Sequence, residues 1–493
     1  MGCVRPRYNA ESRRRFGFTP TNWGSPWWLA GLALIVLFLS SRSLPYNNLT
    51  TPEAWFDLRP PTARLLTDET IPRGRLLSLS NIFFDPGDQG EIGSIYADQL
   101  DEAALYDYIV AIKSKEIIAP NLPLAYGLAS VDGFDGGILP LASYSQLMRL
   151  ILPEGQTTTD GRLREHLRAV PEAKWLDLFN GRYLITDKTA DEWRQAGWRG
   201  FDVFFDLAHA VEIPAGQARP VAFVPDFPAT ALVALVEGEP GLLSVTTVAG
   251  DEWLLEPQLL ESGMVVYNWP PPYVRPYDAR HPVAPQTISF QAIDDESWHV
   301  VAATLVNMFD DTFHSLTLGN YRLIHSGDVK IYENLDLLPR AFFVPSWQFV
   351  PDVEAALSVM ADPTFDPRET AVLLSEQSAV TSEQAMPIGT AHIVGYQPER
   401  VVIQTNSEAG GLLLLTDANY PGWQATVAGE PVPIETADIL FKSLFVPAGE
   451  HEVLFTYKAR RFENGRFVSA FGLVLLLVSL IVLAWKSRKQ SLP

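Results

Sequence analysis

Two aspartates in one short segment are the first residues whose type and spacing could support chemistry. Asp132 and Asp135 lie three positions apart in the segment VDGFDGG. Enzymes that cleave glycosidic bonds use two carboxylates about 5 to 10 Å apart, one of which has a raised pKa. An Asp before a Gly is also typical of a turn, and the chain has 58 acidic residues. We therefore take the pair as a candidate ligand-binding site and assign no catalytic residue.

A second acidic cluster comprises Asp85, Asp88 and Glu91 in DPGDQGE. Carboxylate oxygens are the ligands that Ca²⁺ prefers, but the segment lacks the twelve-residue loop ending in a bidentate Glu, which favours a solvated turn. The eight His residues form no HExxH or HxH pattern, and the single cysteine, Cys3, excludes a CxxC site. The sequence also has neither GxSxG nor a phosphate-binding GxxxxGK[ST] motif. We therefore predict no metal site and no cofactor.

Aromatic residues are the stronger candidates for binding. The chain has 13 Trp, and aromatic rings offer flat apolar faces against which the C–H-rich surfaces of sugars pack. Tyr420 and Trp423 flank the corner NYPGW, and Trp347 follows a Phe-Val-Pro motif. These three residues, with Asp132 and Asp135, are the predicted ligand-binding residues.

The NYPGW corner can reverse the chain between two strands, because Pro421 fixes φ and Gly422 permits an unusual dihedral angle. The same stretch supports a purely structural interpretation. Trp423 alternates with Ala425 and Val427, and this pattern points the three side chains to one face of a strand, into a β-sandwich core.

Apolar segments near both ends predict membrane helices. Residues 467–485 are 19 uncharged residues that end in a Trp and are followed by Lys486, Arg488 and Lys489. Residues 27–41 are also uncharged, but as a helix they reach only about 22 Å, slightly short of a bilayer core. The alternative for this first segment is a cleaved signal peptide, with small residues at 41 and 43.

The charge distribution predicts the topology. Five Arg precede the first apolar segment and basic residues follow the last, so the positive-inside rule places both termini in the cytoplasm and residues 42–465 outside it. The net charge of −21 includes +4 in residues 1–24 and +4 in residues 466–493, which leaves −29 for the rest. So acidic a region repels phosphate backbones, and the sequence therefore excludes nucleic acid as a partner.

The region between the apolar segments divides into a mixed part and a β-rich part. A Pro-rich stalk leads to a strand in RGRLLSLS, amphipathic helices over 97–116 and 142–152, and a buried strand in GRYLITD. Beyond 210 short β-like runs dominate, with one helix over 352–361 that Asp352 caps. The motifs RPVAFVPDF (219–227) and PRAFFVPSW (339–347) resemble each other weakly. From 391 to 459 the strands follow one another at hairpin spacing, with Val453 and Phe455 on the same face.

The segment DANYPGWQATVAGEPVPIETADILFKSLFVPAGEHEVLFTYKARRF closely resembles the C-terminal β-domain of YfhO-type bacterial membrane proteins. In that family a Tyr-Pro-Gly-Trp corner, a short hairpin, a Pro-Ala-Gly-Glu-His turn and a Tyr-containing strand precede the last helix. The segments NLPLAYGLASVDGFDGG (121–137), LFNGRYLIT (178–186) and LPRAFFV (338–344) resemble other landmarks of the same ectodomain. The resemblance covers most of residues 60–485.

The YfhO-type family is similar to polytopic glycosyltransferases that take sugar from a polyprenyl-phosphate carrier on the outer face of the membrane. The resemblance therefore implies a role in glycosylating envelope polymers or lipids at a bacterial cell membrane. One helix stands here in place of the family's multi-helix N-terminal half, which carries the acidic catalytic loop. No catalytic residue is carried over, and we expect no activity from this chain alone.

The residues and the resemblance leave two functions open. The first is an ectodomain that supports lipid-linked sugar transfer with a separate polytopic membrane glycosyltransferase. The second is a non-enzymatic surface module that binds envelope carbohydrate or assists assembly, anchored in the lipid bilayer by two helices.

The predicted fold class is α+β: a mixed α/β unit followed by antiparallel β-sandwich, with one transmembrane helix at each end. The predicted segments are a basic tail (1–24), a helix (25–41), a stalk (42–75), the mixed unit (76–210), a β-rich unit (211–390), the sandwich (391–465), a helix (466–485) and a basic tail (486–493).

Overall fold

The chain forms two compact units, Met1–Phe56 with Gly90–Ile109, and Asp57–Gln89 with Val110–Pro493. The structure is a computed structural model, and it describes residues 27–42, 57–133, 139–158, 160–167, 170–186, 210–261, 263–271, 281–293, 296–374, 381–382 and 389–490. In the first unit the rings of Tyr96 and Tyr108 meet edge to face, with centroids 4.8 Å apart. All of the sheets described below belong to the second unit.

The helices predicted at 97–116, 142–152 and 352–361 are present with shifted ends, and the described residues also form helices that the sequence analysis does not predict, at Pro60–Leu66, Gln89–Tyr96 and Leu122–Ala125. The helix predicted over 97–116 begins later, at Glu102, because Asp101 caps it by accepting a hydrogen bond from the Ala104 N–H at 2.8 Å. The helix over 142–152 ends earlier and continues as a 3₁₀ turn, Met148–Leu150. Asp352 caps its helix as predicted, at 2.8 Å from the Ala355 nitrogen. The α-helices are α1 (Trp27–Arg42), α2 (Pro60–Leu66), α3 (Gln89–Tyr96), α4 (Glu102–Glu116), α5 (Leu122–Ala125), α6 (Ala142–Leu147), α7 (Ala173–Leu178), α8 (Val353–Met360) and α9 (Arg460–Gln490).

Three sheets form the part of the second unit that precedes residue 340. Neighbouring strands in these sheets are antiparallel, except that Arg75–Ser78 and Gly181–Ile185 pair in parallel. In spatial order, the first sheet consists of β1 (Arg75–Ser78), β2 (Gly181–Ile185), β14 (Lys330–Asn334) and β13 (Tyr321–Ser326). The second sheet consists of β4 (Ala218–Pro220), β10 (Pro285–Gln291), β6 (Leu242–Thr247) and β7 (Glu252–Leu255). The third sheet consists of β12 (Thr312–Ser315), β11 (Trp298–Asn307), β5 (Ala231–Glu237), β9 (Met264–Asn268) and β8 (Gln258–Glu261), and β3 (Val211–Ile213) also pairs with β11.

Two further sheets form the sandwich that the sequence predicts near the C-terminus. The larger sheet includes strands from upstream of residue 390: Ala341–Val344 pairs with Gly411–Ala418, and Thr370–Leu374 pairs with Glu435–Ala437. In spatial order, the seven-stranded sheet has β15 (Ala341–Val344), β21 (Gly411–Ala418), β25 (Phe441–Val446), β24 (Glu435–Ala437), β17 (Thr370–Leu374), β16 (Ser346–Val350) and β18 (Thr381–Ser382); the five-stranded sheet has β19 (Thr390–Gln397), β20 (Arg400–Ser407), β26 (Gly449–Tyr457), β22 (Trp423–Val427) and β23 (Glu430–Val432).

The sandwich core lies between these two sheets and follows the predicted alternation. Val453 and Phe455 on β26 are fully buried against Leu413 and Leu444 of the facing sheet. Each such side chain contributes about 1.5–3 kcal/mol when it leaves water. The architecture is thus α+β with mostly antiparallel sheets, as the sequence predicts.

One helix among the described residues is long and apolar enough, by length and composition, to cross a membrane. It is the part of α9 from Phe462 to Leu483. The predicted first membrane segment is also helical, as α1, but its 16 residues are fewer than a bilayer-spanning helix requires. The described residues therefore contain one candidate membrane helix, at the C-terminus, where the sequence predicts two.

A buried carboxyl group lies in the turn between β24 and β25. The Oδ1 atom of Asp438 accepts a hydrogen bond from the Val372 N–H at 2.8 Å, whereas its buried Oδ2 has no partner. Burial raises the pKa of Asp438 to about 7, against the opposing effect of the Val372 N–H. Because the folded-state pKa exceeds the unfolded value, this group's contribution to stability is complete below about pH 4 and is lost as the pH rises through 7.

We expect Asp438→Asn to stabilise the protein more at alkaline pH than at acid pH. The amide keeps an oxygen for the Val372 N–H and removes the charge. Its gain over the wild-type free energy of unfolding should be about 2–3 kcal/mol larger at pH 8 than at pH 5. Urea denaturation in detergent micelles, followed by Trp fluorescence, measures both values. Parallel pH profiles of wild type and variant would contradict the assignment.

Candidate functional site

The NYPGW corner crosses from one sheet of the sandwich to the other. β21 before it pairs with β15 and β25, and β22 after it pairs with β26 and β23. The two strands on either side of the corner therefore do not form a hairpin with each other. The corner lies beside the end of the last strand, because Trp423 pairs with Tyr457, where β26 ends, three positions before α9 begins at Arg460.

Backbone hydrogen bonds hold the corner to the last strand. Gly422 adopts a φ of +117°, which favours glycine, and its carbonyl accepts a hydrogen bond from the Lys458 N–H at 2.9 Å. On the other side the Asn419 N–H donates to the Leu440 carbonyl at 2.7 Å, and its amide donates to the Thr436 hydroxyl at 2.8 Å. The corner is thus fixed at both ends.

Three aromatic rings cluster around this corner. The ring of Tyr457 lies 5.5 Å from that of Trp423 and 6.2 Å from that of Tyr420, measured between centroids. Tyr420 is 47% exposed, and Trp423 is partly buried at the margin of the sandwich core, on the same face as Ala425 and Val427. The alternation therefore turns Trp423 to the core side, as the structural interpretation predicts, and part of the residue remains accessible.

Two cavities adjoin the aromatic corner. The larger, of about 810 Å³, is lined by Tyr420 and Trp423 together with backbone and side chains of β22 and β23; we call it the corner cavity. The smaller, of about 610 Å³, shares these two residues and extends to Tyr457, Lys458 and Phe462; we call it the helix-side cavity. Phe462 is the first residue of the apolar part of α9, so the helix-side cavity ends where the candidate membrane helix begins.

A buried lysine supports Trp423 from inside the sandwich. The Lys442 Nζ lies 3.8 Å from the centroid of the Trp423 ring, a cation–π contact that occupies one face of the indole. Burial lowers the pKa of Lys442 to about 8; the nearby Asp417 carboxylate opposes this shift, and the Arg75 and Arg340 cations add to it. This contact orients the ring that the two cavities share.

The other predicted site residues lie away from this corner. Trp347 lines neither cavity; it is buried on β16, where its ring meets Phe445 edge to face at 5.3 Å. Asp135 lies outside the described residues. Asp132 lines neither cavity either, so of the four predicted residues that the structure describes, it brings together Tyr420 and Trp423.

Asp132 nonetheless has an unusual environment. Its Oδ1 accepts a hydrogen bond from the Ser130 hydroxyl at 2.9 Å, and its Oδ2 is buried without a partner. Burial raises the pKa of Asp132 to about 6, and the Ser130 hydroxyl and the Arg164 cation oppose the rise. A carboxyl group with such a pKa can act as an acid, but no second carboxylate is described beside it.

The acidic segment at 85–91 does not form a metal site in the described part of the chain. Asp88 forms an ion pair with Arg59 at 2.7 Å, and Asp85 forms one with Lys113 at 3.1 Å. Throughout the described ranges, no group of three or more His, Cys, Asp and Glu side chains is placed to hold a metal ion.

Sequence reasoning missed Lys442, Tyr457 and Lys458 as neighbours of the corner. A signal for Lys442 was present, because strand alternation in FKSLFV puts it on the same face as Leu444 and Val446. A lysine on a predicted inward face indicates a buried cation. No sequence signal places Tyr457 beside Trp423, since their pairing is set by the register of β22 against β26.

We expect Gly422→Ala to destabilise the corner more than Gly429→Ala destabilises the next turn. Both glycines have positive φ, so each substitution strains the backbone by about 1–2 kcal/mol. At Gly422 the added Cβ would also meet the Tyr457 ring at 2.8 Å and the Lys458 carbonyl at 3.0 Å, whereas nothing lies within 4 Å at Gly429. Urea denaturation should show a loss about 1–3 kcal/mol greater for Gly422→Ala. Equal losses of unfolding free energy in the two variants would contradict the close approach of Tyr457 and the Lys458 carbonyl to Gly422.

Comparison with known proteins adds little to this geometry. No known family model matches the sequence, and no curated protein does. Among solved structures, the chain is similar to that of arabinofuranosyltransferase AftD from Mycobacteria, at 10% identity and a TM-score of 0.17, over 54% of this chain and 23% of that one. A mutant of the same protein, class 2, matches at 11% identity and a TM-score of 0.16, over 51% of this chain and 14% of that one. The chain thus spans less than a quarter of those structures, and scores this low establish no common fold.

Proposed function

We propose that this protein is a membrane-anchored extracytoplasmic module that binds a saccharide at the aromatic corner. In this proposal it supports lipid-linked sugar transfer to envelope polymers or lipids, and a separate polytopic membrane glycosyltransferase supplies the catalytic groups. The observation that carries the proposal is the pair of cavities that share Tyr420 and Trp423, the smaller of which ends at Phe462, where the apolar part of α9 begins. A ligand in them would lie at the membrane surface.

The size and lining of the corner cavity support a binding role. Its volume of about 810 Å³ falls in the usual range for small-molecule sites, roughly 300–1,000 Å³. The two rings offer apolar faces, and Asn419, Gln424 and Thr436 offer hydrogen-bonding groups around them. This mixture of flat apolar surface and neutral polar groups suits a sugar, which presents C–H faces and hydroxyl groups.

The lining also favours binding over catalysis. No Asp, Glu or His is among the described residues that line the two cavities. Glycoside chemistry requires two carboxyl groups at the site, and general acid–base catalysis most often uses these residue types. A catalytic partner would therefore supply those groups, which is why the proposal includes a second membrane protein.

We expect Trp423→Ala and Tyr420→Ala to weaken saccharide binding by about tenfold each, because each removes a stacking face worth about 1 kcal/mol or more. The ligands to titrate are a panel of neutral oligosaccharides containing glucose, galactose, mannose, rhamnose or arabinose, added to the full chain in detergent. Isothermal calorimetry gives the dissociation constants.

Two matched variants control this experiment. Tyr420→Phe keeps the ring face and should bind nearly as well as the wild type. Phe313→Ala removes a similarly exposed aromatic ring that lines neither cavity, and it should leave binding unchanged. The proposal fails if no oligosaccharide in the panel binds, or if Phe313→Ala weakens binding as much as Trp423→Ala does.

The proposed location can be tested by itself. The basic residues that flank both apolar segments support placing the termini in the cytoplasm and residues 42–465 outside. The turn between β6 and β7 at residues 248–250 is exposed and suits an inserted reporter. We expect an alkaline phosphatase inserted there to be active and a green fluorescent protein to be dark. The opposite pattern would overturn the topology and, with it, the proposed function.

A further inference from the structure

A group of buried charges lies inside the sandwich behind the corner. Arg75 on β1, Arg340 before β15 and Lys442 on β25 surround Asp417 on β21, and Tyr396 on β19 donates its hydroxyl hydrogen to the Asp417 carboxylate at 3.1 Å. We call these five residues the cationic cluster. It contains three cations and one carboxylate, so its net charge is about +2 at neutral pH.

The single carboxylate is already occupied by Arg75. The Arg75 guanidinium donates to Asp417 Oδ1 at 2.7 Å, to the Thr416 carbonyl at 2.7 Å and to the Phe179 carbonyl at 2.7 Å. Burial tends to raise the pKa of Asp417, but Arg75 and the other two cations outweigh it and hold that pKa below its usual range. Asp417 is therefore ionised, and its charge balances one cation.

Arg340 is the cation that lacks compensation. It is only 5% exposed, and its nearest carboxylate oxygen in the described part of the chain is that of Asp417, 3.8 Å from Nη1. Its Nε and Nη2 atoms are buried and donate no hydrogen bond. The Tyr396 ring lies 5.1 Å from the guanidinium carbon. A buried guanidinium whose N–H groups lack acceptors is costly to the fold.

The two unpaired nitrogens have a geometry that points to a ligand class. Nε and Nη2 form one edge of the planar guanidinium, and their parallel N–H bonds match two oxygens of a single oxyanion. Cavities of about 410 Å³ and about 220 Å³ are both lined by Arg340 and by the Ile71–Pro72 segment. A phosphate monoester carries about −1.5 to −2 charges at pH 7, which matches the excess charge of the cluster better than one carboxylate would.

The acidic residues that also line the larger of these cavities do not neutralise Arg340. Asp68 accepts hydrogen bonds from the Tyr183 hydroxyl at 2.9 Å and from the Thr70 N–H at 2.9 Å, and neither Asp68 nor Glu69 forms an ion pair with Arg340. Neither carboxylate is therefore a direct partner of Arg340.

We propose that Arg340 is the anchor of a phosphate-binding site, in which the Nε–Nη2 edge of its guanidinium holds two oxygens of a phosphate group that enters beside Ile71 and Pro72. The phosphate belongs either to a small solute or to a lipid headgroup, since both present the same oxygens. The site is separate from the corner cavity, whose lining does not include Arg340.

The test is phosphate-dependent stabilisation of the full chain. Inorganic phosphate is titrated from about 0.1 to 50 mM at constant ionic strength against the protein in phosphatidylcholine nanodiscs, and the melting temperature is recorded, because a ligand that binds only the folded state raises it with concentration. A second arm uses nanodiscs that contain phosphatidate, and a third uses acetate. Stabilisation by phosphate identifies a free phosphate group, and stabilisation by phosphatidate alone identifies a lipid headgroup.

Arginine variants decide whether the effect arises at this site. Arg340→Lys keeps the charge but loses the two parallel N–H donors of the guanidinium, and it should weaken phosphate binding by about tenfold. Arg340→Met removes the charge as well and should abolish phosphate binding. Arg219→Lys is the matched control, because Arg219 occupies the similar motif RPVAFVPDF but is exposed on β4. The proposal is overturned if neither phosphate nor phosphatidate stabilises the wild type, if acetate acts as strongly as phosphate, or if Arg340→Lys responds like Arg219→Lys.

Discussion

The face-to-face packing of the seven-stranded and five-stranded sheets is the constraint on which the other features depend. Their inward side chains form one dry core, in which residues such as Leu413, Leu444, Val453 and Phe455 are completely buried. The chain must cross from one sheet to the other at an edge of this core, and it does so at NYPGW. The corner cavity, the helix-side cavity and the aromatic rings lie at this crossing.

The same packing explains why charges lie inside the sandwich. Asp417 follows Leu413 and Leu415 on the inward face of β21, and Lys442 precedes Leu444 on the inward face of β25. Strand alternation places these side chains on the inward face, where Lys442 is buried and the Asp417 side chain is only 12% exposed, so they compensate each other. Isolated ions would cost several kcal/mol each, which is of the same order as the gain from two or three buried apolar side chains. An arrangement with excess positive charge is therefore expensive, and this is the physical basis for proposing an anion at Arg340.

The proposed saccharide site and the proposed phosphate site are connected through Lys442. Its ammonium lies against the face of Trp423 and, through Asp417, belongs to the same charged group as Arg340. Changes of charge in the cationic cluster are therefore expected to reach the ring that lines the corner cavity. The link is electrostatic and needs no change in the backbone.

Local sequence patterns predicted individual elements well. The inward alternation of Val453 and Phe455, the cap at Asp352 and the aromatic pair at the corner are all present in the structure. These features depend on residues within a few positions of one another, which is the range over which periodicity and capping act. The long apolar helix at the C-terminal end was predictable for the same reason, since its length and composition are read from the sequence directly.

Long-range pairing decided what the sequence alone did not. The sequence determined that the strands near the C-terminus alternate, that NYPGW turns the chain and that an apolar helix follows. Only the tertiary structure assigned β21 and β22 to different sheets and brought β15 and β17 into the sandwich. It also placed Arg75, more than 300 positions away in sequence, beside Asp417. Strand partners and buried charges are set by which faces exclude water together, and that depends on contacts between residues that no local pattern relates.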